Sequence, residues 1–261
     1  MTILDHIIMD KIKEVELRKT IIPASYLEQS PLFERETFSM AQRLKDSPSG
    51  IIAEHKRRSP SRDHINSSLS VHQIAQGYEN AGVSGISVLT DLKYFGGSLE
   101  DLTAVRSVCK LPLLRKEFII EEYQLIESKA HGADVILLIA SVLDRQHIKS
   151  LSETAQSLGL EVLLEVHNSE ELQKALLPTL DMLGVNNRNL KTFEVSLETS
   201  KTLADQIPDD FVKVSESGIN AVTAIKALQP FGYQGFLIGE NFMKTRDPGH
   251  TAMEFINNLS S

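Results

Sequence analysis

Over residues 51–261, short apolar runs alternate with amphipathic stretches, and few folds accommodate that rhythm. Strand candidates begin near Ile51, Ile86, Leu113, Val135, Glu161, Met182, Val212 and Phe236. Most are short and rich in Val, Ile and Leu, as parallel strands covered on both faces must be. Helical stretches lie between them with recognisable boundaries. Ser98-Leu-Glu-Asp101 resembles a capping box, with Asp where Glu is more usual. Asn168 and Asn220 precede helical runs as N-caps, and Gly132 and Gly159 stand where a left-handed cap ends a helix. Eight strand-then-helix units predict a closed (β/α)8 TIM barrel. An open doubly wound sheet would want a glycine-rich turn after its first strand, and Arg57-Arg-Ser-Pro-Ser61 contains no glycine.

Residues 1–50 stand outside the repeat. Ile3, Ile7, Ile8, Ile12 and Val15 are spaced for one helical face, and Phe38 to Leu44 suggests a second short helix. Ser47-Pro-Ser-Gly50 then makes a turn before the first strand. The segment is too short, and too thin in aromatics, to hold its own core. The expectation is therefore one domain, residues 1–261, with 1–50 as a helical extension packed on the barrel.

Most strand candidates carry polar or charged groups at their ends. Ile51-Ile-Ala-Glu-His-Lys-Arg-Arg-Ser-Pro-Ser61 starts apolar, reaches Glu54 and Lys56, and leaves through a polar loop holding Ser59 and Ser61. Alternation along a strand puts Glu54 and Lys56 on one side and His55 on the other. Leu113-Leu-Arg-Lys-Glu-Phe118 aligns Leu114, Lys116 and Phe118, while Glu161-Val-Leu-Leu-Glu165 ends in an acid. Leu183-Gly-Val-Asn-Asn-Arg188 ends in Asn186 and Arg188, and Val212, Val214 and Glu216 lead into Ser217-Gly218. Gly235-Phe-Leu-Ile-Gly239 runs into Glu240 and Asn241. In a barrel these ends form one rim, the face that carries catalytic loops. A structural ion pair at a sheet edge is the plainer reading of Glu54 with Lys56, but the recurrence favours chemistry.

The loops after the seventh and eighth strands often cradle a phosphate through backbone N–H groups, which glycine lets approach closely. Ser217, Gly218, Gly239, Glu240 and Asn241 fall there. Phe95, Phe118 and Leu237 could line an apolar wall. The set suits acid–base chemistry on a phosphorylated sugar joined to a flat apolar group. Metal binding is disfavoured: the eight histidines are scattered, and His167 with Glu165 is the only acid–imidazole pair at the two-residue spacing that shares a strand face.

A formal net charge of −8 argues against general nucleic-acid or membrane-surface binding, so an anionic ligand needs local positive charge. Lys56, Lys116 and Arg188 supply it. Cys109 is the only cysteine, which precludes an internal disulfide and fits a reducing compartment; its apolar setting reads as helix packing. No apolar run reaches membrane-spanning length, and the first residues lack the pattern of a signal peptide. A cytoplasmic protein is expected, as a monomer or weak homodimer.

These motifs together resemble the indole-3-glycerol phosphate synthase family of tryptophan biosynthesis. Residues 51–61 resemble its first-strand motif, Ser87-Val-Leu-Thr-Asp-Leu-Lys-Tyr-Phe-Gly-Gly-Ser98 its second, and Leu114-Arg-Lys-Glu-Phe118 its third. Leu164-Glu-Val-His167, Asn186-Asn-Arg188, Ser215-Glu-Ser-Gly218 and Leu237-Ile-Gly-Glu240 continue in order, so the likeness spans roughly residues 50–245. It implies a lyase that closes 1-(2-carboxyphenylamino)-1-deoxyribulose 5-phosphate to an indole with loss of CO2 and water, without redox or metal cofactor. The resemblance further implies Lys116 as general acid and Glu165 as base in dehydration. Lys56 would contact the carboxylate or phosphate, or act as a second acid, with Glu54 orienting it. Asn186 and Arg188 would position substrate, and Glu216 would bind a sugar hydroxyl or tune the lysines. Ser59, Phe95 and Phe118 would shape the aromatic pocket, and Ser217, Gly218, Gly239 and Glu240 would contact phosphate.

The chain departs from the family pattern in places. Glu117 stands where Asp is expected, His55 where an apolar residue is, Arg62-Asp63 where Lys-Gly is, and Asn241 where serine is commoner. Two other functions fit part of the pattern. A sugar-phosphate isomerase on the same barrel would share the phosphate loops but needs no paired lysines; a non-catalytic phosphate-binding barrel would not need Glu54, Lys56, Lys116 and Glu165 intact.

Overall fold

Strands whose side chains alternate between two apolar environments need a second layer on each side, and closing the sheet provides one of them. A computed structural model describes residues 2–60, 62–66, 68–190 and 192–260 of the chain. Ser61 of the first-loop motif lies outside the described residues. Eight parallel strands close into a barrel in chain order. They are β1 (Ile51–His55), β2 (Gly85–Leu89), β3 (Leu113–Lys116), β4 (Val135–Ile139), β5 (Glu161–Val166), β6 (Met182–Asn186), β7 (Val212–Glu216) and β8 (Tyr233–Ile238). Ala53 of β1 pairs with Ile86 of β2 on one side and Ile238 of β8 on the other, which completes the circle. This is a (β/α)8 TIM barrel, with helices between the strands.

Alternation then sorts the apolar residues into two cores. Ile52, Leu114, Leu163, Met182, Val212, Val214 and Leu237 fill the interior, while Ile51, Ala53, Ile86 and Val88 face the surrounding helices. The extension folds as α1 (Ile3–Ile21), α2 (Ala24–Leu27) and α3 (Met40–Asp46). Met40 and Leu44 of α3 join the interior cluster from the N-terminal end of the strands, so α3 plugs the barrel floor. The Glu161 carboxylate at the start of β5 accepts hydrogen bonds from the first N–H groups of α3, Met40 N at 2.8 Å and Ala41 N at 3.0 Å. Such free N–H groups favour a negative partner. Asp134, fully buried before β4, accepts from Arg35 at 2.7 Å, Phe38 N at 2.8 Å, Arg106 at 2.9 Å and Leu113 N at 2.8 Å. One carboxylate thus ties the approach to α3 onto two barrel segments.

Several local expectations need correction. Strand β8 starts at Tyr233, three residues before the expected Phe236, and carries a register irregularity opposite Lys213 and Val214. Exposed Gln234 and side-chain-less Gly235 break the apolar run there, although the backbone is already paired. Strand β2 starts one residue early, at Gly85. The second short helix begins at Met40, because Ser39 caps it by accepting from Gln42 N. Ala221, not Asn220, precedes the helix Val222–Leu228. Ser98 does cap its helix, but the Asp101 carboxylate is engaged by Arg57. The packed stripe of α1 also differs: Ile12 is 44% exposed, whereas Lys11 is only 2% exposed, between buried Ile7 and Val15.

Truncating the floor plug tests its packing. Met40→Ala removes a fully buried side chain and is expected to cost about 2–5 kcal/mol in urea unfolding, the usual range for such deletions. A loss below about 0.5 kcal/mol, within the range of surface substitutions, would show that α3 does not plug the floor.

Candidate active site

Charged side chains can enter a barrel only where the interior opens to solvent, and here they do so at the C-terminal strand ends. A cavity of about 600 Å³ lies there. Every nominated residue lines it: Glu54, Lys56, Ser59, Phe95, Lys116, Phe118, Glu165, Asn186, Arg188, Glu216, Ser217, Gly218, Leu237, Gly239, Glu240 and Asn241. Also present, and not anticipated, are Ile3, Leu4 and Ile7 of α1, together with Lys244. The apolar spacing of Ile3 and Ile7 was visible in the sequence, but not that part of this face would border the cavity.

At the centre, Lys116 Nζ lies 3.0 Å from Glu165 Oε2 and in hydrogen-bond contact with Glu216 Oε2. Lys56 Nζ donates to Glu54 Oε1 at 2.6 Å. Register explains the convergence: Leu89 is opposite Lys116, Glu165 opposite Gly184, and Asn186 opposite Glu216. Two glycines make the room. A Cβ on Gly184 would run into Glu216 Oε1, and one on Gly239 into Glu54 Oε1. Gly239 thus has a packing reason beside any approach to an anion. Glu216 Oε1 is buried beside Gly184 without a hydrogen-bond partner.

The ionisation of this cluster is uneven. Burial pulls the Lys116 ammonium down, but Glu165, Glu216 and Glu54 more than offset it, so it stays charged well above its ordinary range. Burial pushes the Glu165 carboxyl up, yet Lys116 and His167 outweigh that and hold it at about 2. Burial raises Glu216 to about 7 against the pull of Lys116, with Glu165 adding repulsion. Two carboxylates sharing one ammonium have been driven apart, the pattern that assigns different roles to neighbouring acids. His167 is held by Glu171, with Nδ1 3.1 Å from Oε2, and its Nε2 lies 3.4 Å from Glu165 Oε1.

The loop after β7 is sharply bent. Ser217 and Gly218 both have positive φ, 66° and 80°, a conformation costing about 1–2 kcal/mol for a residue with a Cβ. Buried Asn187 holds it, donating from Nδ2 to Glu216 O at 3.0 Å and to Ser217 O at 3.1 Å. The loops after β7 and β8 are joined where Asn241 Nδ2 donates to Asn220 O at 3.2 Å. Opposite them, the Phe95 and Phe118 rings lie 6.0 Å apart and form the aromatic wall. Arg188 donates to Phe193 O at 3.3 Å.

The departures now have surroundings. Arg62 reaches across to Glu240 and ties the first loop to the last. Arg57 and Arg58 fasten the same loop to the one after β2, through Gly96 O at 3.0 Å and Lys93 O at 2.8 Å. His55 faces the helices, buried, with Nδ1 unpartnered; burial and then Arg57 lower it to about 4, which keeps it neutral. Glu117 points away from Lys116, toward Lys11 and Thr90.

A family profile described as indole-3-glycerol phosphate synthase matches residues 4–255. The indole-3-glycerol phosphate synthase of Bacteroides thetaiotaomicron is 47% identical over 254 residues, covering 97% of both chains. That of Salinibacter ruber is 43% identical over 251 residues, covering 95% of this chain and 93% of the relative. Among solved structures, 3-hexulose-6-phosphate synthase from Salmonella typhimurium shares the fold with a TM-score of 0.65 at 14% identity, over 81% of this chain and 98% of that one. Thiamine phosphate pyrophosphorylase from Pyrococcus furiosus does so with a TM-score of 0.62 at 15% identity, over 85% and 98%. By its profile match and by relatives sharing more than two-fifths of their residues along nearly its whole length, the chain belongs to the indole-3-glycerol phosphate synthase family.

Proposed function

We propose that the cavity performs this family's ring closure through the residues gathered at its centre. The enzyme is a carboxy-lyase of tryptophan biosynthesis: it converts 1-(2-carboxyphenylamino)-1-deoxyribulose 5-phosphate to indole-3-glycerol phosphate, CO2 and water. The observation that carries the residue assignment is Lys116, an ammonium between a fully ionised Glu165 and a Glu216 poised near neutrality, beside the Lys56–Glu54 pair.

Ring closure joins an aromatic carbon to the substrate ketone, whose oxygen becomes a basic alkoxide. Lys116 gives that oxygen a proton, and its high basicity matches the developing alkoxide rather than the neutral ketone. Lys56 holds the carboxylate of the aromatic ring until it leaves as CO2 and the ring regains aromaticity; Glu54 keeps Lys56 in place. Lys56 is also close enough to the rim to serve the phosphate or to act as a second acid. Glu165 takes the proton lost during dehydration, while an ammonium assists departure of the hydroxyl as water. Asn186 and Arg188 orient the substrate, and Glu216 binds a sugar hydroxyl or tunes the lysines. Ser217, Gly218, Gly239, Glu240 and Asn241 receive the phosphate; Ser59, Phe95, Phe118 and Leu237 border the aromatic ring. With a net charge of −8 on the chain, local cations must offset an anionic substrate. We further place the enzyme in the cytoplasm as a monomer or weak homodimer, acting on a small phosphorylated substrate.

Lys116→Ala is expected to lower turnover of the folded enzyme by about 10²–10⁴ and also to lower its Tm, since Glu165 and Glu216 lose their shared ammonium; Lys116→Arg should restore little turnover, since guanidinium does not release its proton near neutrality. Release of CO2 from the carboxylated substrate is the assay. Its absence in the wild type would favour the isomerase or binding-protein readings.

Inorganic phosphate should compete with substrate, and Gly218→Val should weaken that competition: the added side chain strains a backbone at φ 80° and would meet Val195 at 2.6 Å from its Cβ alone. Unchanged inhibition by phosphate in this variant would move the phosphate site elsewhere.

The raised Glu216 carboxyl has a signed consequence. Its folded value, about 7, exceeds the ordinary 4.5, so its contribution to stability is full below about pH 4.5 and is lost as pH rises through about 7. Glu216→Gln should therefore gain stability relative to wild type as pH rises from about 5 to 8, and its kcat/KM profile should lack an ionisation near neutrality. Parallel stability curves across that range would refute the assignment.

A further inference from the structure

A lysine in the buried stripe of a surface helix is a poor anchor, because its charge must be stripped of water while an apolar residue would pack at no such cost. Lys11 of α1 is such a residue, 2% exposed between Ile7 and Val15. Its Nζ lies 3.0 Å from Asp91 Oδ2, 3.1 Å from Glu117 Oε1 and 2.8 Å from Glu14 Oε2. Asp91 and Glu117 are themselves buried, and each has a second task at the cavity.

Glu117 turns back on its own chain where β3 ends. Its Oε1 accepts from Phe118 N at 2.9 Å, and its Oε2 from Thr90 Oγ1 at 2.7 Å. The residues on either side of it, Lys116 and Phe118, both line the cavity. Asp91 caps the turn that follows β2, its Oδ1 accepting from Tyr94 N at 2.7 Å, and this turn presents Phe95 to Phe118. One ammonium therefore holds together two carboxylates, one fixing the backbone between Lys116 and Phe118 and the other the backbone that carries Phe95. Without it, buried Asp91 would lose its ammonium and Glu117 would keep only the more distant Arg115 guanidinium, 3.7 Å from its Oε2, so the Oε1 that holds Phe118 N–H would be left without a cation beside it.

We infer that Lys11, in the N-terminal extension, is a positioning residue for Lys116 and the aromatic wall, acting through Glu117 and Asp91. It touches no substrate. The inference rests on the proposed roles of Lys116 and Phe118, and it makes α1 part of the catalytic apparatus as well as a packing element.

A double-mutant cycle tests it. Lys11→Met, Glu117→Gln and the double variant are assayed well below their unfolding temperatures, with hydrogen exchange at the Phe118 amide measured in parallel. Lys11→Met should lower kcat about tenfold or more, as small misplacements of catalytic groups do, while KM changes less. Inhibition by inorganic phosphate should stay as in wild type, since the loops after β7 and β8 lie apart from Lys11. The double variant should be no slower than the slower single variant, because both changes break one connection. Exchange at Phe118 should quicken in Lys11→Met.

Wild-type kcat in Lys11→Met with a lowered Tm would reduce Lys11 to a structural anchor and overturn the inference, as would kcat losses that multiply in the double variant. Should Lys11→Met fail to fold, Glu117→Gln, which leaves Lys11 paired with Asp91 and Glu14, decides: wild-type kcat and Phe118 protection in that variant overturn it. A wild-type enzyme that released no CO2 would instead sink the proposed reaction, and unchanged exchange at Phe118 would still sink the role of Lys11 on its own.

Discussion

Three carboxylates and two ammonium groups packed into the open end of an otherwise apolar barrel are the constraint on which the rest of this structure depends. Removing such groups from water costs several kcal/mol each even after relaxation, so they persist only in close mutual contact. The closed sheet supplies that contact. Its register brings β1, β3, β5 and β7 to deliver Glu54, Lys116, Glu165 and Glu216 into one volume, while Gly184 on β6 and Gly239 just past β8 stay small to admit them. Burial and charge crowding together set the protonation of each group. Lys116 remains an ammonium, Glu165 a carboxylate, and Glu216 is balanced between its two forms.

Around this centre the cavity has two ends of different chemistry. The loops after β7 and β8 form a polar end, its backbone held in a left-handed bend at Ser217 and Gly218 by the buried amide of Asn187. The exits of β2 and β3 form an aromatic end with Phe95 and Phe118. The first loop spans both ends, joined to Glu240 by Arg62 and to the loop after β2 by Arg57 and Arg58. The Arg62–Glu240 pair is half-exposed and adds little stability of its own. Its placement matters more, because it joins the first loop to the last across the cavity mouth.

The extension acts at both faces of the barrel. At the floor, α3 inserts Met40 and Leu44 under the interior core, held by Glu161 and Asp134. At the mouth, α1 contributes Ile3, Leu4 and Ile7 to the cavity wall and sends Lys11 between Asp91 and Glu117. A segment with no core of its own thereby closes one end of the barrel and borders the site at the other.

Periodicity alone placed the strands, the barrel and the rim, because alternation along a strand and the run of a helix are local properties of the chain. Glu54 and Lys56 share a side for that reason, and so do Lys116 and Phe118. Local pattern failed where contacts come from far away. Ile12 was expected on the packed face, yet it is exposed while Lys11 is buried, drawn in by Asp91 and Glu117. The early start of β8 is set by pairing with β7, not by its own apolar run. Gly184 gave no sign that it makes space for Glu216, and Asn187 none that it braces the loop after β7. The sequence by itself determined the order of strands and helices and the chemistry brought to each strand end. Tertiary structure alone decided which groups meet: Lys116 and Glu216 are 100 residues apart, and only closure of the sheet puts their charges in contact.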